Sequence, residues 1–187
     1  MSTELPEELL GIDDVGFDEE GRDPEGDGDE EEEPEEQERV LVFRLGDRTF
    51  GLDVGDVRSI VEQGDLTRLP RSGDAIDGIM DLRGEITAVI DPRKLLPVPV
   101  ADRETKQRVI VFDRSSDDQS AGIRVDAVEG VRSYPVSQIK RDDPAFEMPA
   151  GNLVKAVVEV PAEDESADEV AERTSIIDVD TLVRSAN

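Results

Sequence analysis

The sequence predicts an all-β protein of small barrels or sandwiches with short helical turns, standing behind a disordered acidic tail. Three observations carry this reading. From Arg39 onward apolar residues recur at the two-residue period of strands, beginning with Leu41, Phe43 and Leu45. Clusters of Gly, Pro, Asp and Ser separate many short apolar runs, the pattern of small barrels and sandwiches. Charge is distributed unevenly: residues 1–38 hold 19 acids and one base, Arg22, a net of −18 within a chain total of −27.

The acidic tail, residues 1–38, has Phe17 as its only aromatic residue and is interrupted at Gly26, Gly28 and Pro34. It cannot bury enough apolar surface to offset chain entropy. Leu5 to Val15 is more apolar and suits a short transient helix. Asp23, Glu25, Asp27 and Gly28 imitate the start of an EF-hand calcium loop, but Pro34 stands where the bidentate Glu belongs. No amphipathic helix flanks the run, so a solvated tail is the simpler reading.

The folded part, residues 39–187, opens with a hairpin: Leu41 to Leu45, a Gly46-Asp47 turn, then Phe50 and Leu52. Asp53 is placed to cap a short helical turn with Val54, Val57 and Val61 on one side. A short strand around Leu66 to Leu69 leads into the Pro70 to Gly73 segment. A second hairpin runs from Gly78 to Ile90, with Arg83-Gly84 at its turn. Asp91-Pro92 reads as a cap followed by Pro in the first helical position, with a short helix to Leu96 ended by Pro97 and Pro99. After a linker, Ala101 to Gln107, a second all-β half follows. Val109 to Phe112 is a strand and Ser115 to Ser120 a polar turn. Ala121 to Val125 and Val128 to Tyr134 form one bent strand with a bulge at Gly130. Ser137 to Met148 is irregular, Val154 to Val160 a buried strand, Pro161 to Arg173 an exposed acidic loop, and Ser175 to Val179 the last strand.

Composition excludes several function classes. The chain has no Cys and no His, which removes disulfide scaffolds, thiolate metal sites and imidazole-dependent catalysis. Its net charge opposes nucleic acid and direct contact with an anionic membrane. No run of eighteen apolar residues is present, and Met1 leads into acidic sequence rather than a secretory signal. A soluble, cytoplasmic protein with protein or small-molecule partners is expected. Bases are 17 Arg against 4 Lys. Lysine scarcity with excess carboxylate suits a salt-rich cytoplasm, where screening is short-ranged, so a haloarchaeal source is the leading expectation. An ordinary acidic protein is the alternative.

An ordered series of segments resembles the CheW-like chemotaxis coupling family. It runs through Val42-Phe43-Arg44-Leu45-Gly46-Asp47, Phe50-Gly51-Leu52-Asp53, Val57 with Ile60, and Thr67-Arg68-Leu69-Pro70. It continues through Gly78 to Gly84 and Val89-Ile90-Asp91, then Val109-Ile110-Val111, Gly122-Ile123, Val125-Asp126 and Val128, and closes with Ile176 to Asp180, Leu182 and Val183. The resemblance covers about Arg39 to Arg184. It implies a non-enzymatic adaptor of two intertwined five-stranded SH3-like barrels with a hydrophobic groove between them. The implied partners are the cytoplasmic tips of chemoreceptors and the regulatory domain of the histidine kinase CheA, with no cofactor and no metal.

The resemblance also implies partner-binding residues. Arg83 would be the anchor, a planar, permanently charged fork at a hairpin tip; read without the family it is equally a solvated turn residue. Val57, Gly78, Gly122, Val128 and Val131 match positions of receptor contact, and Ile60 and Ile86 are groove- or kinase-facing candidates. Core packing for the valines and backbone geometry for the glycines are the plainer accounts. Arg68 is a further candidate, equally explained as an exposed strand residue. The chain departs from the family pattern at Ser59, usually acidic, and at Asp81, usually Asn, where a carboxylate could compete for the Arg83 guanidinium. The loop before Arg173 is long, and Lys155-Ala156 replace a usual glycine. Competing classes are an acid–base enzyme using paired carboxylates, a nucleic-acid-binding barrel, and an accessory adaptor that binds the kinase alone. With most acids at turns or in acidic runs, Asp91 and Asp178 better explained as helix caps, and only five Phe and one Tyr, the first two are disfavoured.

Overall fold

In the computed structural model, which describes residues 35–96, 98, 107–114, 119–141, 153–161 and 170–187, the period-2 segments form strands in the expected order. The acidic tail with its EF-hand-like run, Pro97 and Pro99, nearly all of the 101–107 linker, most of the 115–120 turn and most of the stretch from Arg141 to Met148 lie outside the described residues.

β1 (Gln37–Leu45) and β2 (Arg48–Asp53) make the first hairpin around Gly46-Asp47. Phe43 pairs with Phe50 across it, their rings stacked at 6.0 Å. Asp53 caps a single 3-10 turn, Val54–Asp56, by accepting the Gly55 amide at 2.8 Å. The helical face expected through Val57 and Val61 does not form. Those residues belong to β3 (Val57–Glu62), because the β-branched Val57, Ile60 and Val61 gain more by pairing with β6 (Arg108–Phe112). β4 (Ile76–Leu82) and β5 (Glu85–Ile90) form the second hairpin, turning at Arg83-Gly84. The strand expected around Leu66 to Leu69 reduces to one bridge between Thr67 and Ile79.

Asp91 caps a 3-10 turn, Pro92–Lys94, shorter than the helix expected to Leu96. β7 (Ser120–Val125) and β8 (Ala127–Pro135) are two strands in different sheets, not one bent strand, with Asp126 at the crossing. The bulge at Gly130 is present, since the register passes from Val42↔Gly130 to Phe43↔Val128. A 3-10 turn, Val136–Gln138, leads to β9 (Ile139–Lys140). β10 (Val154–Pro161) pairs with β11 (Val170–Ile177), so the segment read as a loop to Arg173 already contains strand from Val170. The last strand stops at Ile177. Asp178, expected as a helix cap, accepts the Thr181 amide at 2.6 Å and starts helix α1 (Val179–Ala186), where the last strand was expected to run on to Val179. The spacing of Val179, Leu182, Val183 and Ala186 is helical, and it is visible once Asp178 is taken as a cap.

One sheet has the order β8-β1-β2-β11-β10-β9 and the other β3-β6-β7-β5-β4. Each is mixed, with β2–β11 and β5–β7 as the parallel pairs. Both curl closed. The edge strands β8 and β9 are joined by only three residues, and Thr67, just after β3, bridges to Ile79 of β4. The chain is interlaced: β1 and β2 complete the barrel of β8–β11, while β6 and β7 complete the barrel of β3–β5. One barrel interior holds Val40, Val42, Tyr134, Val158 and Ile176, and the other Met80, Val89, Val109 and Val111. The largest core lies between the barrels, around Phe43, Phe50, Ile110, Phe112 and Ile123. β1 therefore buries both faces, Val40 and Val42 on one and Leu41, Phe43 and Leu45 on the other. Across the second sheet, successive pairings align Ile60, Ile110, Ile123, Ile90 and Ile76 in one row facing the shared core.

Candidate docking surface

The five apolar residues singled out from the sequence lie on strands of both sheets and all turn to the inter-barrel side. Directly opposed residues in a pair point the same way. Val57 opposes Phe112 and Ile60 opposes Ile110, so both face the inter-barrel core. Val128 opposes Phe43 and Val131 opposes Leu41, the bulge keeping both valines on that side. Ile86 has the parity of Ile90 on β5. Val57 and Val128 pack against the core as partly buried residues. Ile60, Ile86 and Val131 are 37%, 50% and 47% exposed, which makes them the uncovered rim of the seam rather than its filling.

Arg83 stands at the tip of the β4–β5 hairpin. It adopts φ 56° and Gly84 φ 90°, the two left-handed residues of a type I′ turn. The expected competition from Asp81 takes another form: its carboxylate accepts the Gly84 amide at 2.6 Å and closes the turn. Among the described residues Arg83 is exposed and has no hydrogen-bond or ion-pair partner. A fixed turn thus presents an unengaged guanidinium.

Gly78 and Gly122 are buried. A Cβ on Gly122 would sit 2.6 Å from the Ile110 carbonyl oxygen, and one on Gly78 would sit 2.7 Å from that of Thr67. Their place in the structure is backbone packing beneath the surface. Arg68 is exposed beside the Thr67 bridge, on the β4 side facing away from the Arg83 turn along the strand.

Three features escaped the sequence reading. The first is a bidentate ion pair, Arg58 to Glu85, with both N–O distances 2.7 Å. The Arg58 hydrogen bonds hold Glu85 below its usual carboxylate range. The second is a cleft of about 450 Å³ floored by Ile76, Ala88, Ile90 and Ala121 and walled by Val183 and Ala186 of α1. The third is a buried charge cluster. Arg124 meets Asp77 at 2.6 Å and Asp91 at 2.5 Å, while Arg93 pairs with Asp126. Asp126 also accepts the Gly46 amide at 2.7 Å. Burial favours the neutral acid at Asp126, but the Gly46 amide and Arg93 outweigh it and lower its pKa. Arg93 and Arg124 look like ordinary surface arginines in sequence; only the crossing of β5, β7 and the first hairpin shows them to be buried. Among the described residues no group of acids is arranged to hold a metal ion, and no helix is long and apolar enough to cross a membrane.

Comparison with known proteins agrees with this architecture. A family model described as a CheW-like domain matches residues 39–187. A chemotaxis protein CheW of Thermotoga maritima is 27% identical over 100 residues, covering 54% of this chain and 64% of the relative. One from Klebsiella aerogenes is 31% identical over 103 residues, covering 55% and 61% respectively. The match thus spans somewhat under two thirds of the length of these curated relatives. The crystal structure of the scaffolding protein TtCheW from Thermoanaerobacter tengcongensis superposes with a TM-score of 0.65 at 26% identity, covering 79% of this chain and 92% of that one.

Proposed function

The chain belongs to the CheW-like domain family, and from that premise we propose that it is a cytoplasmic chemotaxis adaptor, without catalytic activity, that couples chemoreceptor tips to the histidine kinase CheA. The observation that supports this most is the seam itself: an exposed apolar rim of Ile60, Ile86 and Val131 on the two barrels, with an unengaged Arg83 at the adjacent hairpin tip. Apolar surface around a directional cation is the composition of a binding hot spot. In this reading the rim takes the helical hairpin of a receptor tip, a barrel face docks on the kinase regulatory domain, and recruitment to receptor arrays follows from those contacts. Val57 and Val128 support the rim from within, and Gly78 and Gly122 let the strands beneath it close up.

Arg83→Ala is the direct test. The side chain holds no partner among the described residues, so folding stability should stay within about 0.5 kcal/mol of the parent. Affinity for a chemoreceptor cytoplasmic fragment should fall at least about tenfold, and kinase activity in a reconstituted mixture should lose its dependence on receptor. Normal coupling by the variant removes Arg83 from the site. Retention of the kinase but never of the receptor fragment, by the parent chain, favours an accessory kinase-binding adaptor instead.

The same proposal extends to the source. With 17 Arg, 4 Lys and a net charge of −27, the chain suits a haloarchaeal, salt-rich cytoplasm. Dialysis from molar salt to about 0.1 M lengthens the screening distance from about 3 to about 10 Å and should lower the thermal midpoint steeply. A midpoint independent of salt would make the acidity incidental.

A further inference from the structure

Each member of the Arg58–Glu85 pair lies between two residues of the proposed site along the chain. Arg58 stands between Val57 and Ile60 on β3, and Glu85 between Arg83 and Ile86 at the start of β5. The sheet puts β6 and β7 between these strands, yet the two side chains meet. Barrel closure and a bulge together explain the reach. The β3–β6 register passes from Val57↔Phe112 to Ser59↔Val111, leaving Arg58 as the extra residue outside the ladder.

The hairpin tip needs such a strut. β7 pairs with β5 only from Thr87 to Ile90, so the β4–β5 segment around the Arg83 turn projects past that support. On the tip, Glu85 is the first residue after Gly84. Its carboxylate is engaged by both guanidinium nitrogens of Arg58 and hydrogen-bonds to Ser120, whose hydroxyl lies 3.1 Å from that of Thr87. The pair is about half exposed, with side chains 52% and 42% accessible. An ion pair so wet contributes little to global stability, whereas the bidentate fork fixes orientation. Resting on the adaptor reading above, we infer that Arg58 and Glu85 are positioning residues that lock the Arg83 turn to the apolar edge of β3, so that anchor and rim meet a helical partner as one preformed surface.

The test uses the full chain and, as probe, the helical-hairpin cytoplasmic fragment of a chemoreceptor. Arg58→Ala and Glu85→Ala should each weaken binding about fivefold while moving the thermal midpoint by no more than about 2 °C. The exchanged double variant, Arg58→Glu with Glu85→Arg, rebuilds the strut with reversed polarity and should return affinity to within about twofold of the parent. Arg83→Ala runs alongside. If it loses affinity and the single variants bind like the parent, the positioning role is overturned and the adaptor reading stands. If the exchange binds no better than the singles, the charges themselves contact the partner, and positioning is again overturned. If Arg83→Ala binds like the parent, the adaptor reading of this surface falls, and the inference with it.

Discussion

Arg124→Met should lower the thermal midpoint by about 10 °C, the loss of about 3–5 kcal/mol. The methionine nearly fills the volume, so the effect is electrostatic. Arg124 is 6% exposed and is shared by Asp77 at 2.6 Å and Asp91 at 2.5 Å. Without it two carboxylates of the cluster lose their shared cation, and among the described residues they keep Lys94, 3.2 Å from Asp77, and Arg93, whose guanidinium is 3.6 Å from Asp91 and whose amide Asp91 accepts. Breaking a buried pair by removing one partner is far more costly than replacing the whole set. Adding Asp77→Asn and Asp91→Asn to the variant should therefore recover part of the loss. Circular dichroism melting of the three proteins at one salt concentration decides it, and a single variant that melts with the parent would remove the cluster from the account of stability.

Asp126 of the same cluster and the α1 cap Asp178 give the acid limb its sign. Asp126 and Asp178 are each pushed up by burial and pulled further down by their hydrogen bonds, Asp126 by Gly46 and Arg93, Asp178 by the Thr181 amide and hydroxyl. A depressed carboxylate stabilises the fold fully above its unfolded pKa of about 3.9 and loses that contribution as pH falls through its folded value. Stability should thus be flat above about pH 5 and fall below about pH 4. Asp126→Asn should be less stable at neutral pH and show a shallower acid slope.

The cluster also marks where sequence reasoning stops. Both hairpins were legible, because alternation and turn residues are local: Gly46-Asp47 and Arg83-Gly84 turn where expected. The caps at Asp53, Asp91 and Asp178 were legible for the same reason. Membership of a sheet was not. Nothing local tells Val57 that β6 waits fifty residues away, and its spacing with Val61 fits a helix equally well. Nor does anything local separate β7 from β8, since the chain stays extended through Asp126 while changing barrels. In the candidate site, Ile60 and Val131 are exposed on the sheet-edge strands β3 and β8, and Ile86 where β5 runs past its pairing with β7, all of which depends on sheet order and register. The Arg58–Glu85 contact depends on a bulge and on barrel closure together, and, unlike the bulge at Gly130, the one at Arg58 is marked by no glycine.

Gly78→Ala should cost about 3 kcal/mol or more, from overpacking and the loss of two backbone hydrogen bonds. The added Cβ would stand 2.7 Å from the Thr67 oxygen and 3.1 Å from its carbonyl carbon. These are backbone atoms, so no rotamer change relieves the contact. Thr67 and Ile79 exchange hydrogen bonds of 2.9 and 2.8 Å across this point, and that bridge closes the barrel over Met80, Val61, Leu66 and Leu82. Separating the strands opens the interior to water. Hydrogen exchange at the Thr67 and Ile79 amides should accelerate before the rest of the sheet, and the melting midpoint should fall. The variant should also bind partner less well, and here the comparison with Arg83→Ala is informative. Arg83 has no partner among the described residues, so its loss should reduce affinity at constant stability. Gly78 has no surface, so its loss should reduce affinity only in proportion to the fraction of molecules with an open barrel, and raising stability by salt should restore it. A Gly78→Ala protein that melts like the parent yet fails to bind would place Gly78 in direct contact with the partner and contradict the packing role assigned to it.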